Sequence, residues 1–187
     1  MAGKLIVVSG PSGSGKTTVL TRLIAKAPLP LRLAVSATTR PPRPQEVAGV
    51  DYHFLSQEEF DRRRQQGEFL ECFEVFGRGY WYGTLRSEVA PSLQQGLSVI
   101  LEIDVHGMLA VTQQFPDAIT IFVRPGSIEE IERRLRARGT ESEPAIQRRL
   151  AEARRELAMA DRYRYQVIND DLDAAVAEMT QILKQHA

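Results

Sequence analysis

The chain has 187 residues, with 24 basic and 24 acidic side chains and a formal charge of zero. Its 43% hydrophobic and 26% charged residues exclude collagenous, low-complexity and wholly disordered chains, and its length suits one domain with small inserted lobes. Zero net charge argues against a general nucleic-acid binder, and apolar runs such as Leu5-Ile6-Val7-Val8 are far too short to span a bilayer.

The first residues, Met1 to Lys4, do not read as a secretion signal, because they lead straight into a strand expected over Lys4 to Ser9. Gly10-Pro11 ends that strand, and a helix is expected over Lys16 to Lys26 with Val19, Leu20, Leu23 and Ile24 on one face. A short strand follows at Leu33 to Ser36. Pro41, Pro42 and Pro44 then forbid a regular helix. Tyr52 to Leu55 and Glu68 to Phe76 read as short strands around a polar helix, Gln57 to Gln66, and together suggest a small lobe inserted between core strands. A helix over Thr84 to Gln95 and an apolar strand over Leu97 to Asp104 resume the core. Next come a helix at Gly107 to Phe115 and a strand at Ala118 to Val123. Ser127 with Glu130 three residues on is a capping box for a helix running to about Arg138. A second long helix is expected from Glu143-Pro144 to about Arg162, then a strand at Tyr165 to Ile168 and a terminal helix at Leu172 to Gln185.

Alternating strands and helices of this kind specify an α/β fold: a three-layer α/β/α sandwich with a five-stranded parallel core sheet. The expected division is a core of 1–35, 84–125 and 160–187, an α+β lobe at about 36–83, and a helical lid at about 126–159. Cys72, the single cysteine, forbids an intrachain disulfide and fits a reducing cytoplasm. The spacing of His53, His106 and His186 suits no metal. Arg outnumbers Lys 20 to 4, a bias that suits phosphate handling and that genomic base composition explains as easily.

Gly10-Pro11-Ser12-Gly13-Ser14-Gly15-Lys16-Thr17 matches G-x-x-x-x-G-K-[ST], with a hydrophobic strand before it and an amphipathic helix after it. Its glycines allow successive amide N–H groups to face one anion, and the helix adds the positive end of its dipole. Lys16 then reaches the β- and γ-phosphates of a nucleoside triphosphate, and the Thr17 hydroxyl is a ligand for Mg²⁺. Glu102 and Asp104, two apart, are expected on one face of a strand end, where a carboxylate helps hold that metal directly or through water. This loop alone leaves kinases, ATPases, GTPases and motors open.

Further motifs narrow the choice. Ser36-Ala37-Thr38-Thr39-Arg40-Pro41-Pro42-Arg43 places two guanidiniums three residues apart on a proline-stiffened loop, followed by Gly49-Val50-Asp51-Tyr52, Gly67-Glu68-Phe69-Leu70-Glu71 and Tyr82-Gly83-Thr84. With these motifs the chain resembles the guanylate kinase family over essentially its whole length. The resemblance implies transfer of the γ-phosphoryl of ATP, with Mg²⁺, to GMP and dGMP, in a monomer or a homodimer. It also implies that Arg40, Arg43, Tyr52 and Tyr82 hold the GMP phosphate, while Ser36, Glu71 and Thr84 read the base. Glu102 would lie near base and ribose, and Asp104 near the metal or its waters. Arg134, Arg138 and Arg149 would close over the triphosphate, and Asn169 would sit beside the adenine of ATP.

The chemistry agrees. Guanidinium forks and phenols are donors for a phosphate dianion. Guanine's N1–H and 2-amino group are adjacent donors that one carboxylate, Glu71, accepts together. Taken alone, Glu71 reads as a solvated strand carboxylate; only the motif set gives it this role. No general base is needed, since the phosphate acceptor is already anionic.

Two features depart from the family pattern. The stretch Phe76 to Thr84 is two residues longer than the usual G-N-Y-Y-G-[ST], leaving Tyr82 rather than Tyr80 as the phosphate ligand, and Glu102 stands where Asp is more frequent. Two alternatives stay in view: a kinase of the same fold acting on a sugar phosphate, and an inactive GMP-binding scaffold domain. The first has no reason to keep Ser36, Glu71 and Thr84 together. The second has no need of Gly15, Lys16 and Thr17.

Overall fold

A computed structural model describes residues 3–27, 30–74, 79–137 and 142–186. Strands β1 (Leu5–Ser9), β2 (Leu31–Leu33), β7 (Ser98–Glu102), β8 (Ile119–Arg124) and β9 (Tyr165–Ile168) form an all-parallel sheet in the order β2-β7-β1-β8-β9. Central β1 is buried at all five positions, which is why its sequence is continuously apolar rather than alternating.

One face of the sheet, with Ile6, Val8, Ile100, Ile121 and Val167, packs on α1 (Lys16–Lys26) and α7 (Leu172–Lys184). The other face, with Leu5, Val7, Val99, Leu101 and Phe122, packs on α3 (Arg86–Gln94) and α4 (Val105–Gln114). Three layers result, as expected. A smaller sheet, in the order β4-β3-β6-β5, joins β3 (Ala37–Thr38), β4 (His53–Phe54), β5 (Phe69–Glu74) and β6 (Trp81–Leu85). It has its own core, in which Phe60 from α2 (Gln57–Gln65) stacks on Phe69 with ring centroids 4.4 Å apart. Helices α5 (Ile128–Ala137) and α6 (Glu143–Leu157) share a fourth cluster of Ile131, Leu135, Ile146, Leu150 and Ala153.

Several boundaries differ from expectation, each for a tertiary reason. The strand expected at Leu33 to Ser36 is β2, two residues earlier, because Leu31 to Leu33 pair with Ser98 to Ile100 and the Glu88 carboxylate then takes the Val35 N–H. Thr84 and Leu85 are strand rather than helix, held by pairing with Glu71 and Phe69. The helix expected from Glu143 to about Arg162 stops at Leu157, and Ala160–Arg162 form a separate 3₁₀ turn. Ser127 accepts the Glu130 N–H at 3.3 Å, but the Glu130 carboxylate returns no bond to the cap. It takes Arg133 and Arg134 instead, at 2.7 and 2.6 Å.

Candidate active site

The parallel strands direct their carboxyl ends to one edge, where open α/β sheets place ligands. Beyond Ser9, residues 10–15 wrap over the N-terminus of α1. Gly10, Gly13 and Gly15 all have positive φ. At Gly15, φ is +83° and a Cβ would lie 2.6 Å from Asn169 Nδ2, so both conformation and space demand glycine. Lys16 Nζ donates to the carbonyls of Gly10 (2.6 Å) and Pro11 (3.2 Å). Burial lowers its pKa, opposed by the fields of Glu102 and Glu156.

Three side chains hold this loop from outside. Asn169 Nδ2 donates to Ser14 O at 2.7 Å, Arg134 to Ser14 O at 3.4 Å and to Asn169 O at 2.9 Å, and Arg149 Nη1 to Ser12 Oγ at 3.3 Å. Asn169, expected beside adenine, thus has its amide nitrogen committed to the loop backbone. Arg138 lies outside the described residues.

The two acids do not share a strand face. Strand β7 ends at Glu102, in register with Val8, and this carboxylate accepts the Thr17 hydroxyl at 3.2 Å. Asp104 is not on the strand face at all. It is the N-cap of α4, accepting the Gly107 N–H at 2.8 Å, and its field acts on Glu71. The chain needs two residues to turn from strand into helix, which breaks the alternation that would have put both acids on one face. Thr17 and Glu102 form a hard oxygen donor pair beside the phosphate loop, the kind of set that holds Mg²⁺ together with substrate phosphates. Among the described residues no group of three or more His, Cys, Asp or Glu side chains could hold a metal by itself.

In the smaller sheet, antiparallel pairing of Glu71 with Thr84 brings their side chains together. Thr84 Oγ1 donates to Glu71 Oε1 at 2.7 Å, and the two residues are 1% and 7% exposed. Burial, aided by Asp104, pushes the Glu71 carboxyl up to about 7 against the Thr84 hydrogen bond. Ser36 lies just before β3, with its carbonyl accepting the His53 N–H.

Arg40 donates through Nε to the Tyr82 hydroxyl (3.1 Å), and its carbon Cζ stands 5.4 Å from the Tyr52 ring centroid. Tyr52 and Tyr82 meet edge to face, so Arg40, Tyr52 and Tyr82 converge as expected, and Tyr82 rather than Tyr80 takes part. Arg43 is exposed.

Sequence reasoning assigned no role to Glu46, although it stands three residues before the Gly49-Val50-Asp51-Tyr52 motif. Its carboxylate takes both terminal nitrogens of Arg40 at 2.9 and 2.8 Å and the Arg43 backbone N–H at 2.7 Å, which holds it below the usual carboxylate range. The bidentate pair gives the Arg40 fork a fixed plane.

Gly107 was also passed over. A Cβ there would come 3.0 Å from Glu71 Oε2 and 3.1 Å from Ile103 Cδ1. Gly107→Ala should leave the fold intact, since alanine favours a helix. Under the base-reading role that the resemblance implies for Glu71, displacing it by a few tenths of an ångström should nevertheless raise KM for GMP about tenfold without changing KM for ATP, as steady-state kinetics will show.

The guanylate kinase family model matches residues 2–186. The chain is 54% identical over 182 residues to the guanylate kinase of Rhodopirellula baltica, covering 97% of this chain and 87% of that one. It is 51% identical to the guanylate kinase of Rubrobacter xylanophilus, covering 98% and 94%. Among solved structures it is similar to the guanylate kinase from Anaplasma phagocytophilum, with a TM-score of 0.80 at 31% identity, covering 99% of this chain and 86% of that one. Sequence and fold thus agree, and the chain belongs to the guanylate kinase family.

Proposed function

We propose that the chain is an ATP:GMP phosphotransferase that moves the γ-phosphoryl group of ATP to a phosphate oxygen of GMP, giving ADP and GDP. The observation that carries this reading is the buried Glu71 carboxylate hydrogen-bonded to Thr84, on the same small sheet as the Arg40–Tyr82 grip. Glu71 accepts guanine N1–H and the 2-amino group, with Ser36 and Thr84 beside it. Arg40, Arg43, Tyr52 and Tyr82 hold the acceptor phosphate; for the Arg40 fork to do so, Glu46 must yield some of its donors.

On the donor side, the amides of residues 10–15 and Lys16 hold the triphosphate, while Asn169 and Arg134 brace the loop. Thr17 and Glu102 would hold Mg²⁺, in place of the Thr17–Asp104 pair expected at first. When bound, that ion would supply positive charge beside the triphosphate. Arg134 and Arg149, with Arg138, add positive charge where it builds up in the transferring group. One P–O bond to ADP breaks and one to GMP forms. The acceptor oxygen is anionic, so no residue need remove a proton.

dGMP offers the same base edge and phosphate and belongs to the same reading. Cys72, a free thiol, accords with work in a reducing cytoplasm. Among the described residues no helix is long and apolar enough to cross a membrane.

The test is ADP formation measured separately with GMP, dGMP, AMP, UMP and ribose bisphosphate. Turnover with GMP and dGMP far above the others is the expected result. Activity confined to ribose bisphosphate would replace the proposal with a sugar-phosphate kinase.

A further inference from the structure

The acceptor contacts proposed above lie on the small sheet and its loops, and the donor contacts at the edge of the core sheet. The placement of one sheet on the other therefore sets the distance between the reacting atoms. The chain first passes between the sheets at residues 34–36. Ala34 still gives its N–H to Ile100 of β7 at 2.9 Å, and the Ser36 carbonyl already takes the His53 N–H of β4 at 2.9 Å. Val35, between them, gives its N–H to Glu88 Oε2 at 3.3 Å. Glu88, on α3, also accepts Arg32 Nη2 of β2 on that oxygen at 2.7 Å, and its other oxygen stands 3.0 Å from His53 Nε2. One carboxylate, with its side chain only 13% exposed, thus meets the core sheet, the crossing segment and the small sheet.

The small sheet runs β4-β3-β6-β5, so β4 and β5 are its opposite edges. The β5 edge is tied to the core through Gln114 of α4, which donates to the Leu70 carbonyl at 2.9 Å and accepts Arg86 Nη2 at 2.8 Å. Glu88 ties the β4 edge. From this geometry we infer that Glu88 is a positioning residue: through His53 it fixes the β4 edge against the core, and so aligns the acceptor phosphate, gripped by the adjacent Tyr52, with the donor triphosphate. The inference rests on the reading of the two sheets as acceptor and donor sides. The sequence offers no motif for it, because Arg32, His53 and Glu88 are brought together by the packing of α3 against both sheets.

A carboxylate this far from water is costly unless donors meet it, and here they divide between its two oxygens. Arg32 and Val35 both use Oε2, and Arg32 is further fixed by Ser92 Oγ at 3.0 Å. His53 faces Oε1. Glu88→Gln with its oxygen in the place of Oε2 keeps Arg32 and Val35, and its amide N–H can then donate to Nε2 of a neutral imidazole protonated at Nδ1. Glu88→Ala removes all of these bonds, whereas His53→Ala removes the link to the small sheet and leaves Arg32 and Val35 in place.

The test is steady-state kinetics at pH 8 with ATP and GMP on wild type, His53→Ala, Glu88→Ala, the double variant and Glu88→Gln. Each substrate keeps its own site, so KM for ATP and KM for GMP should stay within about twofold of wild type. By contrast, kcat should fall about tenfold in His53→Ala and in Glu88→Ala, because the alignment of the two sites is what the loss disturbs. The double variant should be no slower than Glu88→Ala, and Glu88→Gln should stay within about threefold of wild type. Full kcat in His53→Ala, a rise in KM for GMP in place of the kcat loss, losses that multiply in the double variant, or a Glu88→Gln as slow as Glu88→Ala would overturn the inference. Should Glu88→Ala fail to fold, His53→Ala and Glu88→Gln still decide it. Wild-type protein that fails to phosphorylate GMP would instead overturn the functional reading, a result the same experiment registers separately.

Discussion

Glu71→Gln will cost the protein its preference for GMP over AMP while making the fold more stable at alkaline pH. A carboxylate presents two acceptors to guanine's two neighbouring donors. A carboxamide presents one, and turns an N–H toward the other donor. The resulting unpaired pair in a closed site should lower kcat/KM for GMP by about 10²–10³-fold. AMP, whose N1 is an acceptor, can receive that amide N–H, so the selectivity ratio falls further than the GMP rate alone. The Thr84 hydrogen bond survives, because the glutamine oxygen still accepts it.

Stability moves the other way. The Glu71 carboxyl has an ordinary value of 4.5 and is raised by burial to about 7 in the folded chain. The folded state therefore holds a proton that the unfolded state releases. Stability is full below about pH 4.5 and falls as pH rises through about 7, a loss of order 3 kcal/mol. Glutamine has no such charge, so thermal unfolding of the variant should exceed wild type at pH 8 and match it near pH 4. Base recognition has the opposite slope, because only the carboxylate accepts both donors. GMP affinity of the wild type should weaken as pH drops below about 7. A variant with intact GMP selectivity, or with no gain in melting temperature at pH 8, would contradict the role given to Glu71.

Lys16→Ala should lower kcat by roughly 10³-fold, because the proposal makes Lys16 the compact cation facing the β- and γ-phosphates and little else in phosphoryl transfer is supplied by the protein beyond charge and position. Its loss also removes two contacts to the loop, at Gly10 and Pro11, and leaves Glu102 and Glu156 without their shared counter-charge. ATP binding should therefore weaken along with turnover. GMP binding measured by calorimetry should stay within about threefold of wild type, since Glu71, Thr84 and Tyr82 belong to the other sheet and Arg40 to the loop that follows its β3. Loss of GMP binding would mean that Lys16 supports the fold rather than the donor site. Near-normal turnover would remove the loop from the chemistry.

The residues that could be read without coordinates are those whose role depends on near neighbours in the chain. Strand β1, the phosphate loop and α1 follow one another within Leu5–Lys26, and an apolar run, glycines at set spacing and one amphipathic face specify them locally. The five-stranded core was legible for the same reason: buried parallel strands are continuous in apolar residues and punctuated by glycine and proline.

Pairing between distant segments decided the rest. Thr84 is strand because β5 lies beside it, with a register irregularity between Phe69 and Glu71 that no local pattern announces. Glu102 and Asp104 differ by two positions in a sequence that alternates, yet the strand ends between them, sending one acid to Thr17 and the other to cap α4. The Arg40–Glu46 pair, the approach of Gly107 to Glu71, and the grip of α6 on Ser12 arise from loop closure and helix packing. Local preference sets which elements form. Only the free energy of burying them against one another chooses which side chains meet.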